Sequence, residues 1–152
     1  MIGFVKKIKL NTILLIKNDN DFRLALSQYL EKQCKKQYDP SNLNEFQKTL
    51  FLCIWLENFS ISEGILTFIN DIYSDYNEDV VIALNSIGAI KSSKIIKEAI
   101  SLLPDDGEWF LKIANSDEKE KMRNLDKTFS SYPDGKLSLL YREYVKKHLS
   151  DL

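Results

Sequence analysis

The sequence predicts an all-α fold, a single-domain bundle of six to eight short amphipathic helices, and three observations lead there. Apolar residues recur at three- and four-residue spacing through most of the chain. The periodic segments are interrupted by Asp39-Pro40, Gly88, Pro104 and Pro133-Asp134-Gly135, residue types that stop helices. Period-two alternation is absent except over Ile8–Ile16, which suits either an edge strand or a frayed helix.

A chain of 152 residues has the length of one ordinary domain and can bury a core. With 44% apolar and 28% charged residues it stands apart from disordered chains. A net charge of −1 argues against direct nucleic-acid binding, which needs clustered cations. The charge is unevenly spread: residues 1–36 hold eight basic and three acidic side chains, residues 37–152 thirteen and nineteen. The chain therefore divides into a basic leading segment, 1–18, read as a short strand or frayed helix, and a helical domain, 19–152. In the leading segment the apolar patch Ile13–Ile16 is four residues long, follows Lys9 and Asn11, and lacks a small-residue cleavage site, so no signal peptide is expected. No window has the length of a membrane span, and a cytoplasmic location is expected. Cys34 and Cys53 match no metal or redox spacing and fall in apolar-periodic segments, which predicts buried free thiols, consistent with a reducing compartment.

The elements follow in order. Residues 19–37 place Phe22, Leu26, Tyr29 and Leu30 on one helical face, with Asp19 or Asp21 as cap and Lys35 and Lys36 in the last turn. After Asp39-Pro40 a second helix is predicted from Ser41 or Asn42 to about Phe59. Leu43, Phe46, Leu50, Phe51, Leu52, Cys53, Ile54, Trp55 and Leu56 make it apolar on most faces, the mark of a central helix. Ser60-Ile61-Ser62-Glu63 reads as a capping box that starts a helix with Ile61, Ile65, Phe68, Ile69 and Ile72 inward. Asn77 is the expected cap of the next helix, with Glu78 and Asp79 in its first turn, Val80, Val81, Leu84 and Ile87 inward, and Gly88 at its end. Ser92 or Ser93 is expected to open a helix running to Leu103. Trp109, Phe110 and Ile113 suggest a short helical stretch, Ser116 a cap before Met122, Leu125 and Phe129, and Pro133-Asp134-Gly135 a turn into a last helix burying Leu137, Leu140, Tyr141, Tyr144 and Val145. Short connections imply that sequential helices pack side by side, and no repeat at solenoid period is present.

Chemistry-bearing residues are few. His148 is the only histidine and falls in the last helical turn, where it serves as a cap or dipole partner rather than a catalytic base. Facing Glu-x-x-His pairs, which a carboxylate-bridged metal centre needs, are absent, as is a glycine-rich phosphate loop. No metal or cofactor is expected. The distinctive feature is electrostatic. Between Lys48 and Lys91 there is no lysine or arginine, yet Glu57, Glu63, Asp71, Asp75, Glu78 and Asp79 fall in that stretch. Unneutralised acids on a folded surface attract cationic partners; ordinary solvated helix faces would give the same pattern.

Residues 83–89 read Ala83-Leu84-Asn85-Ser86-Ile87-Gly88-Ala89, and farther on come Leu125-Asp126, Phe129, Tyr132-Pro133-Asp134, Leu137, Tyr144 and His148. In these segments, and from Glu57 to the end, the chain resembles the bacterial DNA-mimic protein family, small all-helical proteins mostly of unknown function. Ser62, Glu63 and Gly64 stand where that family carries Asn-Gly-Gly, Ile65 where it carries Phe, Thr67 where it carries Gln, and Asp71 at the later Asn. The resemblance implies a helical domain whose surface carboxylates, spaced like DNA phosphates, occupy the DNA-binding face of a helix-turn-helix regulator.

Charge pattern and resemblance together give the expected function: a non-catalytic interaction module whose acidic face, at Glu63, Asp71, Asp75, Glu78 and Asp79, binds a basic protein, either a DNA-binding regulator or a toxin held inactive. Two alternatives stand beside it. A small enzyme using these carboxylates would need a cleft holding a desolvated acid with a polar partner, and a purely structural or oligomer-forming domain would use an apolar face such as that around Trp55.

Overall fold

A computed structural model describes residues 2–105 and 116–152, and among these residues it contains helices and turns but no strand. The α-helices are α1 (Ile2–Leu14), α2 (Asp19–Gln33), α3 (Glu45–Ser62), α4 (Asn77–Ser86), α5 (Ile90–Ser101), α6 (Ser116–Ser130) and α7 (Leu137–Lys147). Short 3-10 turns at Pro40–Asn42 and Ser74–Tyr76 and a π-helical turn at Thr67–Ile72 join them. The predicted stretch at Trp109, Phe110 and Ile113 lies outside the described residues.

Helix α3 is central because its sequence is apolar nearly all round. Leu50, Phe51, Leu52, Cys53, Ile54 and Leu56 are all buried, each side chain of this size contributing about 1.5–3 kcal/mol when removed from water. It packs against α2, α4 and α6, while neighbours in sequence from α1 to α6 also pack in succession and α7 returns to α2. Helix α1 buries Leu10 and Ile13, and Arg142 of α7 holds its end by donating to the Leu14 and Ile16 carbonyls at 3.2 and 2.6 Å. The guanidinium also lies 3.9 Å over the Phe22 ring.

Several helix ends differ from the sequence-based expectation. Asn18, not Asp19 or Asp21, caps α2 by accepting from the Asp21 N–H, and α2 stops at Gln33, leaving Lys35 and Lys36 beyond its last turn. Asp39 instead caps the Pro40–Asn42 turn, and α3 starts at Glu45 with an Asn44–Gln47 capping box. The predicted box at Ser60 does not form. The Ser60 hydroxyl donates to the Glu57 carbonyl inside α3, because the apolar helix continues past it to Ser62. Gly64, at φ +101°, ends α3 in the left-handed region that glycine adopts without steric cost. Ile61 and Ile72, expected inward, are 58% exposed, whereas Ile65, Phe68 and Ile69 are buried. The π turn is the reason for Ile72: an extra residue in the turn rotates the following side chain off the inward stripe.

Helix α4 begins at Asn77, whose side chain donates to the Ile69 carbonyl instead of capping, and it ends at Gly88 (φ +89°), with the Ala89 N–H bonded to the Leu84 carbonyl. Helix α5 has no cap from Ser92 or Ser93. Asp134, more than forty residues later, accepts from the Lys91 N–H at 3.0 Å and the Ser92 N–H at 2.7 Å. The Pro133-Asp134-Gly135 turn thus closes α5 as well as leading into α7.

Candidate functional site

The five acids named above occupy three places. Glu63 is the residue after α3, Asp71 lies in the π turn, and Asp75, Glu78 and Asp79 share the 3-10 turn and first turn of α4. All five are exposed, and none makes an ion pair with a described residue. Among the described residues, Asp71 accepts a hydrogen bond from the neighbouring Asn70 amide, at 2.9 Å. Chain continuity keeps Asp71, Asp75, Glu78 and Asp79 within a few turns of each other, while Glu63 caps the C-terminal end of α3.

Two acids not included in that set join it through tertiary packing. The Tyr76 hydroxyl is pushed up by burial, then by the charge and hydrogen bond of Asp39 and by the charges of Asp75 and Asp79, so all three carboxylates act on one hydroxyl. Asp39 itself is held below the ordinary carboxylate range, chiefly by the Ser41 N–H, and stays ionised. Glu45 and Asp79 line the same shallow cavity, together with Lys48. Lys48, 5.9 Å over the Tyr76 ring, is the cation at this margin. Helix α1 packs on α2, where Lys32 beside Lys9 pushes the Lys9 ammonium down. In sequence, Asp39 and Glu45 are masked by the nearby Lys35, Lys36 and Lys48, and only the fold of the Pro40–Asn42 turn brings Asp39 to Tyr76.

Glu57 is a correction to the acidic strip. It is 2% exposed and belongs to the interior. Its Oε2 accepts from the Tyr132 hydroxyl at 2.8 Å and from Arg23 Nη1 at 3.3 Å, and its Oε1 accepts from the Tyr141 hydroxyl at 3.0 Å. Arg23 Nε donates in turn to Asn58 Oδ1 at 2.9 Å. Burial, followed by Glu57, pushes the Tyr132 hydroxyl up to about 12, and burial with the Glu57 charge raises Tyr141 further, so both remain protonated donors. Beside this cluster lies an open cavity of about 320 Å³ lined by Asn18, Asp19, Arg23, Glu57, Tyr132 and Lys136, among others. The enzyme alternative requires a desolvated acid next to a cleft, and Glu57 is the residue with that position. Both of its oxygens already accept hydrogen bonds, its tyrosine partners are poor acids, and no histidine or cysteine lines the cavity. The cluster ties α2, α3 and α7 together and offers no free base.

The remaining candidates are structural. His148 follows α7, stacked near Phe46 and Tyr144 with centroids 4.6 and 4.5 Å away, and its Nδ1 is 3.4 Å from Asp151. Both cysteines are free, Cys53 buried and Cys34 half-buried, the latter thiol pushed up to about 11 by burial and by Glu31 and Asp39. No group of metal-ligating side chains occurs among the described residues, and none of their helices is long and apolar enough to cross a membrane.

No curated protein and no solved structure matches the chain. A family model described as DMP19-like protein matches residues 41–148, from the Pro40–Asn42 turn to the end of α7. The matched span takes in α3 to α7, the exposed acids of the π turn and α4, and Glu57 with its two tyrosines. Covering well over half of the sequence, that match places the chain in the DMP19-like protein family.

Proposed function

We propose that this protein is a non-catalytic interaction module that binds a basic protein through the acidic surface at Glu63, Asp71, Asp75, Glu78 and Asp79. The observation that carries the reading is the exposure of these five carboxylates with no cation paired to any of them among the described residues. Asp39 and Glu45 extend the same field, and Lys9 of the leading segment lies beside Lys32 of α2. A field of this sign speeds the approach of a cationic partner and suppresses acidic ones. The resemblance to DNA-mimic proteins supports a DNA-binding regulator as that partner, with the carboxylates in the place of phosphates; a toxin with a basic active face is the other class that fits.

The test is affinity capture at low and at high salt, followed by association kinetics with the purified partner. Asp75→Lys with Asp79→Lys should slow association by about tenfold at low salt and leave dissociation little changed. Duplex DNA should compete if the partner is a DNA-binding regulator and should not compete if it is a toxin. A partner whose association ignores both salt and charge reversal, or no partner at any salt, overturns the reading.

A further inference from the structure

The exposed side of α4 carries a groove whose chemistry changes along its length. At one end Val81 and Ile82 of α4 and Ile100 of α5 form an apolar depression of about 310 Å³, with Glu78 and Lys97 on its rims. Ile82 is 62% exposed and stands beside this depression, so its side chain is available to a partner. Asn77 and Ile100 line this depression and also the next one, of about 250 Å³, so the two adjoin across these residues. That second part is polar: Asn70, Ser74, Asn77 and Asp105 line it over an apolar floor that includes Ile69 and Leu103.

The polar end is unsatisfied. Asn70 Oδ1 and Asn77 Oδ1 are closed off from solvent and accept no hydrogen bond. Their orientation is fixed from the other side of each amide. Asn77 Nδ2 donates to the Ile69 carbonyl at 2.8 Å and Asn70 Nδ2 to Asp71 Oδ1 at 2.9 Å, and turning either amide over would set oxygen against oxygen. A buried acceptor without a donor destabilises the fold, and two of them beside one cavity await the same remedy, a ligand bearing N–H groups.

We propose that this α4–α5 groove docks an amphipathic helix of the basic partner, an apolar side chain entering beside Ile82 and an arginine, about one turn along, entering between Asn70 and Asn77. The inference rests on the basic-partner reading and specifies how that partner is gripped. Helix-in-groove recognition uses anchors at this spacing. Arginine suits the polar end because its planar guanidinium offers five donors, is weakly hydrated and lies flat on apolar walls, whereas an ammonium is compact and strongly hydrated. Glu78 and Asp105, which line the groove, supply complementary charge, and the exposed Asp71 and Asp75 follow Asn70 and Ser74 directly in the chain.

The experiment uses a labelled 14-residue helical peptide with leucine and arginine four positions apart on one face, a scrambled version, and a version with lysine for arginine, titrated into the full chain by fluorescence anisotropy. The key variant is Ile82→Glu, which removes the apolar anchor while making the surface more acidic. The patterned peptide should bind, the scrambled and lysine peptides should bind more weakly, and Ile82→Glu should lose about tenfold. Amide signals of α4, α5 and the Asn70 and Asn77 side chains should shift on titration. Equal or tighter binding to Ile82→Glu overturns the groove and leaves the acidic-surface reading standing, whereas binding unaffected by Asp75→Lys with Asp79→Lys overturns both. A peptide that does not bind, or a concentration-dependent dimer abolished by Ile82→Glu, also overturns the groove, the dimer assigning that face to a second copy of the chain.

Discussion

Replacing Glu57 with alanine separates an interior acid from the surface acids next to it in sequence. The substitution leaves Arg23, with a side chain 15% exposed, facing two tyrosine hydroxyls and no carboxylate. Removing one member of a buried ion pair costs about 3–5 kcal/mol. Here the lower end applies, about 3 kcal/mol, because Arg23 keeps Asn58, Tyr141 keeps the Cys53 carbonyl, and the adjoining cavity admits water to the guanidinium. For a domain of this size that corresponds to a fall in Tm of roughly 6–12 °C. The assay is urea unfolding followed by circular dichroism, with wild type, Glu57→Ala, Arg23→Met and the double variant compared by linear extrapolation. The double variant should be more stable than Glu57→Ala alone, since it no longer strands a charge. Partner association should be unchanged in Glu57→Ala at a temperature where it is folded. A loss below about 1 kcal/mol, or a double variant that loses the sum of both singles, refutes the account of Glu57 as a structural tie.

Other outcomes follow from the same geometry. Asp134→Ala should cost about 1–2 kcal/mol, the loss of a helix cap, although the residue is remote in sequence from α5; protection of the Lys91 and Ser92 amides from hydrogen exchange should fall with it. Asp134 and Asp19 lie below the ordinary carboxylate range. Burial opposes this in both, but the Ser92 and Lys91 N–H groups outweigh it at Asp134, and Lys136, Ser138 and Arg142 outweigh it at Asp19. Because their folded values are depressed, the stability they add is complete above the unfolded value of about 3.9 and is lost as pH falls through the folded one. Urea midpoints should be level from pH 7 to 5 and drop below pH 4, less steeply in Asp134→Asn. Gly64→Ala should destabilise by about 1–2 kcal/mol, since φ there is +101° and the new Cβ would come 3.2 Å from Asp126 Oδ2, whose partner oxygen holds the Ile65 N–H. Alkylation at neutral pH should modify Cys34 slowly and leave the buried Cys53 intact until the chain unfolds.

Helix content, the central place of α3 and the shortage of cations between Lys48 and Lys91 were determined by the sequence itself. Each is a local property: a 3.6-residue period, an apolar run, a composition, none of which needs a partner elsewhere in the chain to be read. Helix ends were legible only where the cap lies within a few residues and no apolar helix runs through it, so the Ser60 pattern misled and Asp134 went unseen. Tertiary structure alone decided that Glu57 leaves the acidic surface for Arg23, Tyr132 and Tyr141, that Asp39 together with Asp75 and Asp79 acts on the Tyr76 hydroxyl, and that Lys9 of α1 lies beside Lys32 of α2. Those outcomes depend on hydrogen bonds and charges meeting across dozens of residues. Whether a carboxylate is a surface charge or an interior tie is fixed by which donors the packing of other helices brings to it, and that information is not stored near the residue in the chain.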